Sequence, residues 1–477
     1  MPLRQRKKIQ SMLYEPPGRT DEIAERKRNG DLSFWWKPDG TDPENIEHKD
    51  EKSMKPESSV YQMYLRILDA ELKPAMGCTE PIAVAFCAAK AKETLGSAVE
   101  KIVVKASGNI IKNVKSVVVP NTGGMKGLEA AAAVGAFFGN AAKELEVVSE
   151  ITEAEIAALK PVMEKTEITV EPLDSEHVLD VITVLYGGGH EASVRIQDDH
   201  TNIVRIEKDG EVLFENTAGI VTEDADLDYE CLSVDDIIDF ADTVELDDIR
   251  EVLERQIRLN TAISNEGLTK PFGARIGQIL AMEGRDVKTK AKAAAAAASD
   301  ARMSGSEMPV VINSGSGNQG ITTSVPVIVY AEHYGKSHEE LLRALAVSNL
   351  ITLHLKAGIG RLSAYCGAVS AGVGAGAGIA YLLTHDVSKI HHTIVNAVAI
   401  TSGIICDGAK ASCAAKIAMA VEAGVMGLEM IEGGSQFYGG EGLVSKGVEN
   451  TIRNISVLGQ EGMKETDRTI IKLMTEC

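Results

Sequence analysis

The sequence predicts an α+β protein: a mainly helical domain that carries the chemistry, beside a smaller α/β domain containing an antiparallel sheet. Three observations predict it. Apolar residues recur at helical spacing near both ends of the chain, and strand-like alternation is confined to a central stretch. Gly reaches 44 residues while aromatics make up only 4%. Small side chains suit closely packed helices and backbone-built loops better than a core filled by large rings. At 477 residues the chain is also too long for one compact core.

Residues 1–55 differ from the rest. MPLRQRKKIQ and RTDEIAERKRNGD are charged, PPG and KPDGTDPEN form turns, and no apolar period is long enough to bury a face. They read as a disordered extension, or as the product of a start assigned upstream of Met54, although both Trp35 and Trp36 lie there. Residues 56–100 read as a helical segment packing on the C-terminal domain: VYQMYLRILDA and IAVAFCAAKAKETLG are helical, with KPAMGCTEP breaking between them. Residues 101–232 read as the α+β domain. KIVVKAS and VKSVVVP are strand-like, and GLEAAAAVGAFFGNAAKEL is helical. EITVEP, HVLDVITVLYG, EASVRIQ, NIVRIEK and EVLFENT then alternate as strands of an antiparallel sheet. From 233 to 477 the pattern is almost wholly helical, broken at SGSGNQG (314–320) and AGIGRLSAYCG (357–367).

The net charge of −20 repels a phosphate backbone and excludes nucleic acid as a partner. One stretch, Ala364 to Leu383, is uncharged for long enough to span a bilayer. It is mostly Gly, Ala and Ser, which gain little in lipid, so it reads as a buried central helix and no membrane partner is expected. Such small-residue helices also suit packing in a homo-oligomer. Seven cysteines, an odd number, and no secretory h-region point to reduced thiols and a cytoplasmic setting.

Cys366, Cys406 and Cys413 are spaced C-x39-C-x6-C. Three thiolates can hold three irons of a [4Fe–4S] cluster and leave the fourth open as a Lewis acid. By spacing alone they could equally be small buried hydrophobes. Their context adds Gly403 and Gly408, where the main chain can approach cluster sulfides. Four motifs then carry a resemblance: GCTEP at 77–81, PNTGGMKG at 120–127, SGSGNQG at 314–320 and CG…ICDGAKASC at 366–413. In order and spacing they resemble the L-cysteine desulfidase branch of the iron–sulfur L-serine dehydratase superfamily, over about Tyr61 to Met474. The resemblance implies cluster ligation by Cys366, Cys406 and Cys413, with a small amino-acid substrate completing the fourth iron, and an all-helical cluster domain. It also implies β-elimination and deamination, from L-cysteine to pyruvate, ammonia and sulfide.

The remaining motif residues have readable chemistry. Cys78 precedes a helix whose N-terminal dipole would lower its pKa and favour a thiolate. The resemblance gives it the α-proton, with Glu80 the alternative base. Thr79, Asn121, Thr122, Ser314, Ser316, Asn318 and Gln319 supply hydroxyls, amides and flexible backbone donors for a carboxylate. Lys126, His354, Lys356 and Arg361 are possible anchors, and each has a bland reading as a surface or structural residue. Cys87 reads as core. Cys477, as a tail thiol, could reach the open iron, or could be a frayed end. L-serine is the alternative substrate on the same cluster. Two rivals stand apart: a pyridoxal-phosphate lyase using SGSGNQG as its phosphate loop, and a non-catalytic cluster-binding protein, which would have no use for GCTEP.

Overall fold

A computed structural model describes residues 54–216, 227–284, 286–360 and 363–475. The expectations for residues 1–53 with Trp35 and Trp36, for Arg361 and for Cys477 lie outside the described residues. The described residues lie within one compact unit.

Within that unit two hydrophobic cores form, and the first helical segment divides between them. α1 (Ser59–Glu71) presents a single apolar stripe of Tyr61, Tyr64, Ile67 and Leu68 to the helical core. β1 (Pro74–Met76) follows. α2 (Thr79–Leu95) is buried on nearly every side and belongs to the sheet core. The 56–100 segment thus contributes α1 to the helical core and α2 to the sheet core. An all-round apolar helix needs cover on every face, which the sheet supplies.

The sheet contains β2 (Lys101–Ala106), β3 (Glu167–Pro172), β4 (Asp180–Gly187), β5 (His190–Gln197), β6 (Ile203–Lys208) and β7 (Glu211–Glu215), in the order β3-β2-β4-β5-β6-β7. From β2 through β4 to β7 neighbours are antiparallel, as expected. The β2–β3 pair is parallel, so the sheet is mixed. α3 (Gly108–Val114), α4 (Gly127–Phe138) and α5 (Glu153–Met163) lie between these two strands in sequence, and a crossover of that kind returns the chain in the same direction. The reading of VKSVVVP as a strand is corrected. Its start closes α3, and Val118 makes only an isolated bridge to Lys126.

The helical part comprises α6 (Val234–Thr243), α7 (Leu246–Thr269), α8 (Ile276–Glu283), α9 (Val287–Met303), α10 (Gly317–His333), α11 (His338–Ile359), α12 (Gly367–Thr384), α13 (Val387–Thr401), α14 (Cys413–Glu432), α15 (Val448–Val457) and α16 (Lys464–Thr475). A short strand missed in the sequence, β8 (Pro309–Val311), pairs antiparallel with β1 and leads into the SGSGNQG turn. α12 is long and apolar enough to cross a membrane, yet 83% of it is buried inside the protein. Its glycines explain the composition. A Cβ at Gly372 would stand 2.4 Å from the Ala420 carbonyl of α14, and one at Gly374 would stand 2.1 Å from Thr352 Oγ1 of α11. Only glycine lets these backbones approach so closely.

Candidate functional site

Two antiparallel segments bring the first two cysteines together. Tyr365 bridges Ile405, Cys366 N–H donates to the Ile404 carbonyl (3.2 Å), and Cys406 N–H donates to the Ala364 carbonyl (2.7 Å). Cys366 is the N-cap of α12 and Cys413 the first residue of α14. Burial raises the Cys366 thiol, and the neighbouring Cys406 and Cys413 raise it further. Lys416 pulls the other way on Cys366 and Cys413. Its ammonium donates to the Ile405 carbonyl (2.9 Å) and pairs with Asp407, which also holds Lys410. The 405–412 loop is thus braced by Asp407 and Lys410 within it and by Lys416 from α14. Gly408 (φ +92°) lies so close to α3 that a Cβ would stand 2.3 Å from the Lys112 carbonyl.

Among the described residues, no group of three or more His, Cys, Asp or Glu side chains forms a site for a single metal ion. A multi-iron core is gripped at separate corners, so its ligands stand further apart than those of one ion. Cys366 and Cys406 on paired segments and Cys413 at the head of α14, with the Lys416 ammonium near Cys366 and Cys413, are thiol donors of the kind such a core takes.

Cys78 lies against this loop. With Val117 and Met303 it forms a small buried cluster onto which Ala409 and Cys413 pack. Its thiol donates to Glu80 Oε2 (3.0 Å), which also accepts from Thr79 Oγ1 (3.1 Å), while Asn113 Nδ2 donates to Glu80 Oε1 (3.0 Å). Cys78 does cap α2, but the expectation of a lowered pKa is overturned. Burial, followed by the Glu80 charge, drives the thiol well above its usual value, and Arg302 only partly opposes them. Burial also penalises the Glu80 carboxylate. Even so His200, the Cys78 hydrogen bond and Arg302 together hold it below the usual carboxylate range. The ionised member of the pair is Glu80.

The SGSGNQG turn closes the other side. Thr79 Oγ1 also lies 2.9 Å from the Gly315 carbonyl. Ser314 (φ +48°) is buried and in the left-handed region, and Ser316 is the N-cap of α10 without a side-chain capping bond. Asn318 Oδ1 accepts from Ser299 Oγ (3.2 Å). Gln319 is buried, its Oε1 has no partner, and its amide packs where a Cβ at Gly367 would stand 2.6 Å away, directly beside Cys366. PNTGGMKG is adjacent through Pro120, which covers Gly77. Asn121 donates to the Val148 carbonyl (2.7 Å), tying the loop to the segment before α5, and Thr122 donates to the Val119 carbonyl (2.7 Å) within its own turn. Lys126 is exposed. His354 pairs with Glu449, and Lys356 Nζ donates to the Gly360 carbonyl, both in structural roles. Cys87 is core, its thiol on the Val194 carbonyl.

Three residues at the site went unread in the sequence: Asn113, His200 and Arg302. His200, on the turn between β5 and β6, faces Gly315, with its buried Nε2 unpartnered. It lines a cleft of about 1390 Å³ shared by the sheet and the helices. No local motif marks these three, because each comes from a different element and only the fold unites them.

Comparison with known proteins agrees with this picture. The family model of the serine dehydratase alpha chain matches residues 142–472. A UPF0597 protein of Desulfitobacterium hafniense (strain Y51) is 54% identical over 88% of this chain and 98% of its own length. UPF0597 proteins of Lachnoclostridium phytofermentans and Finegoldia magna are each 48% identical over 87% of this chain, covering 100% and 99% of their own lengths. The match to the serine dehydratase alpha chain model over residues 142–472 shows that this chain belongs to the serine dehydratase alpha chain family.

Proposed function

We propose that the protein is a lyase that removes the β-substituent and ammonia from L-cysteine, yielding pyruvate and sulfide, with a [4Fe–4S] cluster held by Cys366, Cys406 and Cys413. The observation that carries this reading is the packing of Cys413 against Cys78, which puts a candidate acid–base pair beside the three thiols. When bound, the cluster would supply a Lewis-acidic iron for the thiol or hydroxyl leaving group.

The protein's own residues supply the rest. Cys78 and Glu80 act as one general-base unit. The α-proton of the substrate passes to the Cys78 sulfur as the thiol proton moves along its hydrogen bond to Glu80. Asn113 and Thr79 keep that carboxylate aimed at the sulfur, and His200 stabilises its charge. General-base help of this kind is worth roughly 10²–10⁴-fold. The buried wall formed by Val117 and Met303 excludes water from the pair. Aminoacrylate is released and hydrolyses to pyruvate and ammonia.

L-serine is the second reading, favoured by the serine dehydratase description of the matched family. Anaerobic purification with iron and acid-labile sulfide analysis, followed by pyruvate and sulfide assays on both amino acids, tests the proposal. Pyruvate with stoichiometric sulfide from L-cysteine is expected. Pyruvate from L-serine alone would move the assignment to the second reading, and protein that binds no iron would end both.

A further inference from the structure

Arg302, near the end of α9, is 2% exposed. Among the described residues its guanidinium donates no hydrogen bond and joins no ion pair, and its Nε is buried without a partner. A buried charge left unpaired is strongly destabilising, so a folded protein retains one only where something else compensates it. Glu80 feels the Arg302 charge, but the hydrogen bonds to its two oxygens come from Cys78, Thr79 and Asn113. It is a neighbour of Arg302 and not its partner.

The guanidinium lies against the first residue of α10. A Cβ at Gly317 would stand 2.3 Å from Arg302 Nε and 2.8 Å from its Cζ. This is the positive end of a 17-residue helix, and its N-cap Ser316 makes no side-chain capping bond. A cation placed at the positive end of a helix adds to the unpaired potential there. Both features point at the same volume, and both call for an anion.

We propose that Arg302, seated against the first turn of α10, takes the α-carboxylate of an amino-acid substrate. A planar guanidinium presents two parallel N–H donors to the two oxygens of a carboxylate. The surroundings favour a zwitterion over a phosphate. The ionised Glu80 and the unpartnered Gln319 Oε1 suit an ammonium, which a phosphate lacks. Held in this way, an α-amino acid presents its α-carbon between Arg302 and the Cys78–Glu80 pair, both of which feel the Arg302 charge. The inference rests on the lyase reading only for the identity of the acid.

The test is equilibrium binding by calorimetry on the cluster-loaded protein, with two probes. L-alanine keeps the carboxylate and ammonium but has no leaving group, and cysteamine keeps the thiol and ammonium but lacks the carboxylate. Arg302→Gln should weaken L-alanine roughly tenfold to a hundredfold, the worth of one charge-assisted pair, and leave cysteamine within about twofold. Arg302→Lys should fall between, since it keeps the charge and loses the fork. L-alaninamide should bind the unaltered protein at least about tenfold more weakly than L-alanine, a comparison that needs no variant. Equal losses for both probes, no loss for L-alanine, or equal binding of L-alanine and its amide would overturn the inference. Elimination activity is read separately. Pyruvate formation with binding insensitive to Arg302 sinks the inference and spares the lyase reading, while Arg302-dependent binding without pyruvate does the reverse.

Discussion

The C-terminal helix is fastened to the site by a buried ion pair, and breaking it has a calculable effect. Lys112 of α3 is 2% exposed and pairs with Asp467 of α16, which also accepts from Asn109 Nδ2 at 2.9 Å. Replacing Asp467 by Asn leaves the ammonium buried without a counter-charge, a loss of about 3–5 kcal/mol. Lys112 is held from the other side by the α3 backbone and the Gly408 loop, so it is α16 that gives way. Every 1.4 kcal/mol is a factor of ten, so opening of Lys464–Thr475 should become roughly 10²–10⁴-fold more frequent. Amide hydrogen exchange reads that equilibrium segment by segment. Lys112→Met combined with Asp467→Leu removes both charges and should recover protection to within about 1 kcal/mol of the original, as apolar replacements of buried pairs commonly do. Protection of 464–475 that falls less than about tenfold in Asp467→Asn, or a double variant exchanging as fast as the single one, would refute the reasoning.

Three further outcomes follow from the site. Glu80→Gln keeps the shape and removes the ionised partner, so turnover at saturating substrate should fall roughly 10²–10⁴-fold, measured as pyruvate release. Cys366→Ser should lower both iron and acid-labile sulfide per chain, and an unchanged content would remove this residue from the donor set. Asp300, buried with one oxygen on the Gly277 N–H (2.9 Å), has its carboxyl pushed up to about 6 by burial. The folded chain therefore keeps this proton between pH 4 and 6 where the unfolded chain has lost it. Its contribution makes stability fall as pH rises through that window, and melting curves of Asp300→Asn should lack that component.

The sequence revealed unequal shares of this structure. Long periodic elements such as α1, α7 and α12 were legible, because one buried stripe or an uninterrupted small-residue run leaves little alternative. β3 was legible as a strand but not in its direction, since parallel pairing is decided by the crossover and not by alternation. VKSVVVP misled because β-branched residues also fill buried turns, and Val117 and Val119 are buried without a ladder. At the site, the motif residues Cys78, Thr79, Glu80 and Ser314–Gln319 do assemble, since short runs with unusual chemistry announce themselves. The sign of the Cys78 shift was missed because helix position is visible in a sequence and burial beside a carboxylate is not. Asn113, His200 and Arg302 were silent for the same reason. Each is an ordinary residue whose importance comes from what the fold sets opposite it.

The glycine crossing of α12 and α14 has a consequence for the cysteines. Cys366 stands at the head of one rod and Cys413 at the head of the other, and Gly372 and Gly424 form the pivot at which the rods touch. The span between the two sulfurs is thus set some turns below them, as the opening of callipers is set at the joint. A single methyl inserted at Gly372 would be felt at the tips, far from any atom that meets a substrate.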